Sequence, residues 1–359
     1  MNKLTSSLLT FLLISTGSAQ AITGLPPLPI PADNPQTAEK IALGQKLFND
    51  PRFSADGSIS CASCHQASRA FTDGLPHARG IRAQTGKRNT PTVVNAAFYN
   101  SFFHDGRRAS LEEQSLDPLT NPIEHGLTDN KQILPIIQRD FDYLKSFLTV
   151  FGVTAEQITV NHVAKAIASF ERTLISGNTP FDLYFFKSKR EQLNDSEARG
   201  LRIFRRKGNC ANCHEISWDN ALFTDNRFYN IGTGFKALNK ELPRLLASIK
   251  KSDTQRLEEL SELKKSELGR FNVTGAIEDM GKFKTPTLRN IALTAPYMHD
   301  GSIKTLREVV EYYDKGGEKN RFLDPAIFPL NLTEQEKEDL VAFMKKLTSP
   351  QYEVYLKAQ

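Results

Sequence analysis

A five-residue pattern, Cys-x-x-Cys-His, occurs twice in this chain, as Cys61-Ala-Ser-Cys64-His65 and Cys210-Ala-Asn-Cys213-His214, and the two copies account for all four cysteines. Two thiols about one helical turn apart can add to the two vinyl groups of one porphyrin, and the histidine that follows can then reach its iron. The pattern reads as a c-type haem attachment site. A redox-active thiol pair, a structural disulfide or a zinc site would use the cysteines but leave the histidine after each pair without a role. Two covalently bound c-type haems are therefore expected, one on His65 and one on His214.

Residues 1–21 carry Lys3, an apolar run from Leu8 to Ile14 and the small-residue ending Ala19-Gln-Ala21. This is the pattern of a secretory signal peptide, with cleavage expected after Ala21. Export and thioether-bound haem together suit the periplasm of a bacterium. No cysteine stands at the cleavage site to take a lipid, and no later run approaches the roughly 20 apolar residues of a membrane span. The net charge of +5 comes from basic and acidic residues that are interspersed. They form no stripe of the kind a nucleic-acid surface needs, so nucleic acid is not an expected partner.

Strand-like alternation is scarce. A helical pattern starts at Thr37 and runs through Ile41 and Leu47-Phe48, and others cover Leu111–Gln114, Ile133–Phe147, Val160–Leu174, Ser196–Phe204, Leu306–Tyr313 and Thr333–Leu347. An internal repeat extends beyond the haem motifs. Thr90-Pro-Thr-Val-Val-Asn95 is answered by Thr285-Pro-Thr-Leu-Arg-Asn290, His104-Asp-Gly106 by His299-Asp-Gly301, and Ser110-Leu-Glu112 by Thr305-Leu-Arg307, all at one spacing of 195 residues. The expected fold is mainly α: two cytochrome c-like haem domains related by internal duplication, with long ordered loops. The N-terminal haem domain covers 22–175, a linker 176–194 and the C-terminal haem domain 195–359. The second domain contains an extra charged stretch, 236–267, with Leu257, Leu260 and Leu263 at helical intervals. It is expected as an amphipathic surface helix or hairpin, with partner docking as the alternative.

An iron with one protein ligand can bind peroxide or oxygen, whereas one with two is usually an electron carrier. The repeat spacing sets Tyr313 opposite Pro118. The second module thus has a possible iron ligand where the first has a residue that cannot coordinate, and one open and one closed haem are expected.

Taken together the sequence resembles the bacterial dihaem cytochrome c peroxidases, and within them the MauG-like branch. The resemblance is carried by the two haem motifs, Arg88-Asn-Thr-Pro-Thr92, Asp105-Gly-Arg107, Asn121-Pro-Ile-Glu124, Lys284-Thr-Pro-Thr-Leu-Arg-Asn290 and Thr294-Ala-Pro-Tyr-Met-His-Asp-Gly301. It spans nearly all of residues 22–359 except the 236–267 insertion. Tyr313 stands where conventional members have an axial methionine and MauG-like proteins a tyrosine, which implies that it binds the His214 iron; Met298 and Met280 are the alternatives. Conventional members close the other haem with a loop histidine at a position that falls near Ile81, not a ligand, with His77 the nearest substitute. The family's pocket glutamine and glutamate match Gln114 and Glu124, and a glutamate can move a proton between the two oxygens of a peroxide. Its calcium ligands match Asn89, Thr294 and Pro296, an all-oxygen set. His104 replaces the tryptophan commonly found between the haems, and Trp218, the single tryptophan, follows the second motif.

The resemblance implies a periplasmic dihaem peroxidase that reduces hydrogen peroxide at the His65 haem. Electrons would come through the His214 haem from a small donor protein, a cytochrome c or a blue-copper protein. A MauG-like enzyme that oxidises residues of a partner protein and a non-enzymatic dihaem electron carrier are the rival expectations.

Overall fold

The computed structural model describes residues 22–250 and 255–356; the expected signal peptide lies outside them. Helices dominate. The first, Ala38–Phe48, starts where the Thr37 hydroxyl accepts the N–H of Lys40, and it buries Leu43, Leu47 and Phe48. It crosses the helix Val160–Glu171 at Gly44, where a methyl group would come within 1.9 Å of the Ala166 carbonyl oxygen. Beyond the crossing, Phe48 meets Phe170 edge to face at 5.2 Å.

The second half repeats this construction. The helix Asp195–Arg205, capped by Asn194, crosses the helix Glu334–Lys345 at Gly200, where a methyl group would lie 2.0 Å from the Asp339 carbonyl oxygen. Phe204 meets Phe343 at 5.3 Å. A separate apolar core surrounds each crossing: Leu47, Tyr143, Phe147 and Ile167 belong to one, Phe181, Leu201, Phe223 and Leu340 to the other. The chain is mainly α with two cytochrome c-like domains.

The halves face each other across a pseudo-twofold axis. The Asn89 N–H donates to the His299 carbonyl at 2.8 Å, and the Lys284 N–H to the His104 carbonyl at 2.8 Å. Each bond is the other's copy at the repeat spacing. Residues 22–36 form an irregular arm across both halves: the Gly24 carbonyl accepts from Ala221 and Arg289, while the Asn34 side chain donates to Glu112 and to the Lys165 carbonyl.

Two features differ from the sequence reading. The stretch 133–147 is not one helix: Leu134–Gln138 ends before Asp140, whose carboxylate accepts the N–H of Tyr143 and starts a new helix, Phe141–Phe151. The 236–267 insertion is amphipathic as expected, with Leu242, Leu245 and Leu246 buried and Arg244 exposed, but among the described residues it is three short α-helices and not one helix or hairpin. Its short helices Leu242–Lys250, Gln255–Glu258 and Glu262–Glu267 wrap a third small core with Phe235, Leu268, Phe271 and Met280. Leu257 and Leu260 point inward, whereas Leu263 stays exposed. The end of the insertion also ties to the first half. Lys87 pairs with Glu262 at 2.7 Å, and the Arg88 Nε donates to the Ser266 hydroxyl at 2.7 Å. Just beyond it, Arg270 donates to the carbonyls of Asp105 and Gly106. Among the described residues no helix is long and apolar enough to cross a membrane.

Candidate haem sites

Both haem motifs sit on a single helical turn, Cys61–Cys64 and Cys210–Asn212, which brings each thiol pair to one side. Burial pushes the Cys61 and Cys210 thiols up to about 12. The histidines are held alike. His65 Nδ1 donates to the Phe71 carbonyl at 3.0 Å and His214 Nδ1 to the Phe223 carbonyl at 2.9 Å. A carbonyl only accepts, so each Nδ1 carries the proton and each Nε2 is left with a free lone pair. Burial also lowers both imidazoles below their ordinary range, which keeps them in the neutral, ligating form.

The Thr-Pro-Thr segments explain why those carbonyls stay in place. Thr92 Oγ1 donates to the Ala70 carbonyl at 2.6 Å and Thr287 Oγ1 to the Leu222 carbonyl at 2.8 Å, each one residue before the histidine's acceptor. Phe71 and Phe223 then turn in the left-handed region, at φ 60° and 54°. One motif thus fixes the ligand presented by the other.

In the second half, Cys210, Cys213, His214 and Tyr313 line a cavity of about 240 Å³, with Leu340 and Met344 on its wall. Leu306, Val309, Val310 and Tyr313 also line it, as one face of the helix Leu306–Asp314. The neighbouring Tyr312 is turned away and donates its hydroxyl to the Ile231 carbonyl at 2.9 Å. Burial, reinforced by the two thiols, holds the Tyr313 phenol well above its usual range. Met298 reaches the same cavity, but Met280 is fully buried in the insertion core.

In the first half, the helix Leu111–Thr120 begins at a Ser110 cap as its counterpart begins at Thr305. At the repeat spacing Gln114 corresponds to Val309 and Pro118 to Tyr313, two residues that line the second cavity. The Pro118 carbonyl accepts the N–H groups of Asn121 and His125, which folds the loop carrying Glu124 back over the helix end. Glu124 Oε1 accepts from Asn121 Nδ2 at 2.6 Å. Burial pushes its carboxyl up to about 7, opposed by the charge of Arg107. Ile81 is joined to this loop, its N–H donating to the Glu124 carbonyl at 3.0 Å. His77 lies elsewhere: its charge acts on Glu267 and His299, across the boundary between the halves.

Asn89, Thr294 and Pro296 reach the inter-module end of the same cavity as His104 and Lys284. Asn89 Nδ2 donates to the Leu75 carbonyl at 2.7 Å, which leaves its oxygen available. His104 Nε2 donates to the Asn89 carbonyl at 3.0 Å, and burial pushes that imidazole down to about 3. Trp218 is 88% exposed, outside this interior. Sequence reasoning missed three groups. Lys284 Nζ is buried with no hydrogen-bond partner, as is Glu171 Oε2, and Glu267 Oε2 shares a proton with His299 Nε2 at 2.8 Å. An orphaned ammonium facing a cavity lined by paired thiols, a neutral histidine and leucines fits a porphyrin, whose propionates are anionic.

A family model described as di-haem cytochrome c peroxidase matches residues 38–190, and one described as cytochrome c matches 197–348. The chain is 37% identical over 328 residues to the cytochrome-c peroxidase IdrP1 of Pseudomonas sp. strain SCT, covering 90% of this chain and 84% of that protein. It is 37% identical over 320 residues to the methylamine utilization protein MauG of Methylorubrum extorquens, covering 89% and 81%. The crystal structure of a MauG-like protein associated with microbial copper homeostasis superposes with a TM-score of 0.77 at 32% identity, over 93% of this chain and 96% of that one.

Proposed function

The chain belongs to the di-haem cytochrome c peroxidase family, and from that premise we propose that this oxidoreductase reduces hydrogen peroxide at the His65 haem in the periplasm, with electrons drawn through the His214 haem from a small redox protein. Relatives named cytochrome-c peroxidase support the reaction type. The haems would supply the redox chemistry, with peroxide binding at the His65 site and not at the one closed by Tyr313. Glu124 moves the proton: as a carboxylate it accepts one from the near oxygen of peroxide, and as an acid it returns it to the departing oxygen. A carboxyl pushed up to about 7 exchanges a proton readily in either direction near neutral pH. The observation that carries the proposal is the position of that carboxyl, buried, held by Asn121 and folded over the end of the helix that bears Gln114. Gln114 holds the peroxide by hydrogen bonding, and Ile81 and Pro118 keep that side free of a competing ligand.

Tyr313 is proposed as the second ligand of the His214 iron. A phenol held high by burial gives up its proton when a metal cation replaces it, and an anionic oxygen then favours oxidised iron. Asn89 Oδ1 and the carbonyls of Thr294 and Pro296 are proposed to hold a calcium ion between the halves. Among the described residues neither of those carbonyls takes a hydrogen bond from a main-chain N–H. His104, neutral and tied to the Asn89 carbonyl, spaces the two haems.

The placement of Tyr313 also favours a second reading, in which the oxidising equivalents modify residues of a partner protein. The relative named MauG supports it. EPR and electronic spectra of the ferric protein and of Tyr313→Phe, before and after one equivalent of peroxide, test the assignment. One high-spin signal, one low-spin signal altered by Tyr313→Phe, and prompt spectral change with peroxide are expected. Two low-spin haems unaffected by peroxide or by the substitution would overturn it. Peroxide consumption with a cytochrome donor, set against covalent change in a partner protein, separates the two readings.

A further inference from the structure

The duplication identifies a residue beside the first haem that no motif marks. Gly44 and Phe48 contact Ala166 and Phe170 as Gly200 and Phe204 contact Asp339 and Phe343. Farther along, the Asn95 N–H donates to the Leu174 carbonyl at 2.8 Å, as the Asn290 N–H does to the Leu347 carbonyl at 2.9 Å. These contacts align the two closing helices residue by residue, and on that alignment Glu171 takes the place of Met344. Met344 is on the wall of the second haem cavity.

Two further observations locate Glu171. After burial, its charge is the largest influence raising the Cys61 thiol, so its carboxyl lies near the first attachment site. It is only 4% exposed, and its Oε2 has no hydrogen-bond partner. The cations nearby form their ion pairs with other groups, although one guanidinium nitrogen of Arg172, Nη1, is itself buried with no hydrogen-bond partner. Arg172 pairs with Glu112 at 2.8 Å, Lys165 with Asp33 at 3.0 Å, and Lys40 donates to Asn34 and to the Pro35 carbonyl. Arg172 lowers and Glu112 raises the Glu171 carboxyl, and burial outweighs both to bring it to about 8. Burial without a partner thus favours the neutral acid over the carboxylate.

We infer that Glu171 is a positioning residue of the first haem that holds a proton against the porphyrin and releases it when the haem is oxidised. The balance is one electron to the oxidant and one proton from the Glu171 O–H to solvent, leaving a carboxylate beside iron that has gained one positive charge. The second module, with a thioether at this place, has no such proton. The two haems therefore respond differently to pH.

The inference rests on the first module carrying a haem at Cys61, Cys64 and His65, which the absorbance of the same sample reports. The experiment is spectroelectrochemical titration of both haems of the intact protein, and of Glu171→Gln and Glu171→Met, on both sides of pH 8. One proton per electron makes the first-haem potential of the unsubstituted protein fall by up to about 59 mV per pH unit between the carboxyl's pKa in the oxidised protein and its higher pKa in the reduced protein. That slope is expected to vanish in both variants, with the second haem's curve unchanged. Glu171→Gln keeps shape and polarity, and Glu171→Met copies the second module, so failure of either to fold leaves the other. A flat first-haem curve in the unsubstituted two-haem protein, or a slope that persists in a variant, would overturn the inference. A sample without the first haem would instead overturn the haem assignment beneath it.

Discussion

Lys284 sets its ammonium 3.1 Å from the centre of the Tyr99 ring, buried between the halves with no hydrogen-bond partner. Across the pseudo-twofold, Lys284 answers Asn89 and Tyr99 answers Thr294, two of the proposed calcium ligands. Burial pushes the lysine down to about 7, and a haem propionate would hold it charged. Lys284→Met is expected to destabilise the two-haem protein by about 1.5–3 kcal/mol, the value of a hydrogen bond to a charged group. Guanidinium unfolding midpoints check this, and an unchanged or higher midpoint would contradict a propionate partner.

Glu124 must be ionised to take the first proton from peroxide. The rate of the peroxide reaction is therefore expected to rise with pH through about 7 and then level off. Glu124→Gln should remove that inflection and slow the reaction by about 10²- to 10⁴-fold. Stopped-flow spectra across the pH range make the comparison.

Arg289 and Asp182 form a bidentate pair at 2.9 Å, both fully buried, with Arg289 also donating to the carbonyls of Gly24 and Ala221. Removing one partner leaves a buried charge uncompensated. Arg289→Met is expected to cost about 3–5 kcal/mol, measured by urea unfolding, while the haem spectra stay unchanged. This arginine belongs to one of the motifs that carry the family resemblance, yet its contacts bind the N-terminal arm to the second half.

Alanine normally stabilises a helix relative to glycine by up to about 1 kcal/mol. At Gly44 and Gly200 the sign is expected to reverse. The obstructing atoms are backbone oxygens, which cannot swing aside, so the helices must part at about 1–3 kcal/mol each. Thermal unfolding of Gly44→Ala and Gly200→Ala should show lower midpoints for both.

Much of this molecule is legible in its residues because covalent haem chemistry demands a rigid local pattern. Cys61 to His65, Cys210 to His214 and the Thr-Pro-Thr segments are short, contiguous and repeated. The crossing glycines were equally repeated, but Gly-x-x-x-Phe is weak until its partner helix, more than a hundred residues away, is known to face it. The insertion misled for a related reason: Leu257 and Leu260 face Phe271 and Met280, which lie outside the stretch that looked inserted. Asp140 broke a continuous apolar pattern because a capping carboxylate outweighs periodicity. Glu171 and Lys284 stood among ordinary helical and motif residues, and burial without a partner is a tertiary property that no local pattern reports.

The reciprocal bonds Asn89 to His299 and Lys284 to His104 have the form of an isologous contact, the kind two identical chains make across a twofold axis. In a dimer of identical chains every substitution appears on both sides. Within a single polypeptide it appears once, so one surface can change while its mate is kept. Asparagine against lysine, proline against tyrosine and glutamate against methionine are divergences of this kind, each at equivalent places around two similar cofactor sites. Linking the halves covalently is what lets one scaffold hold two haems with different duties.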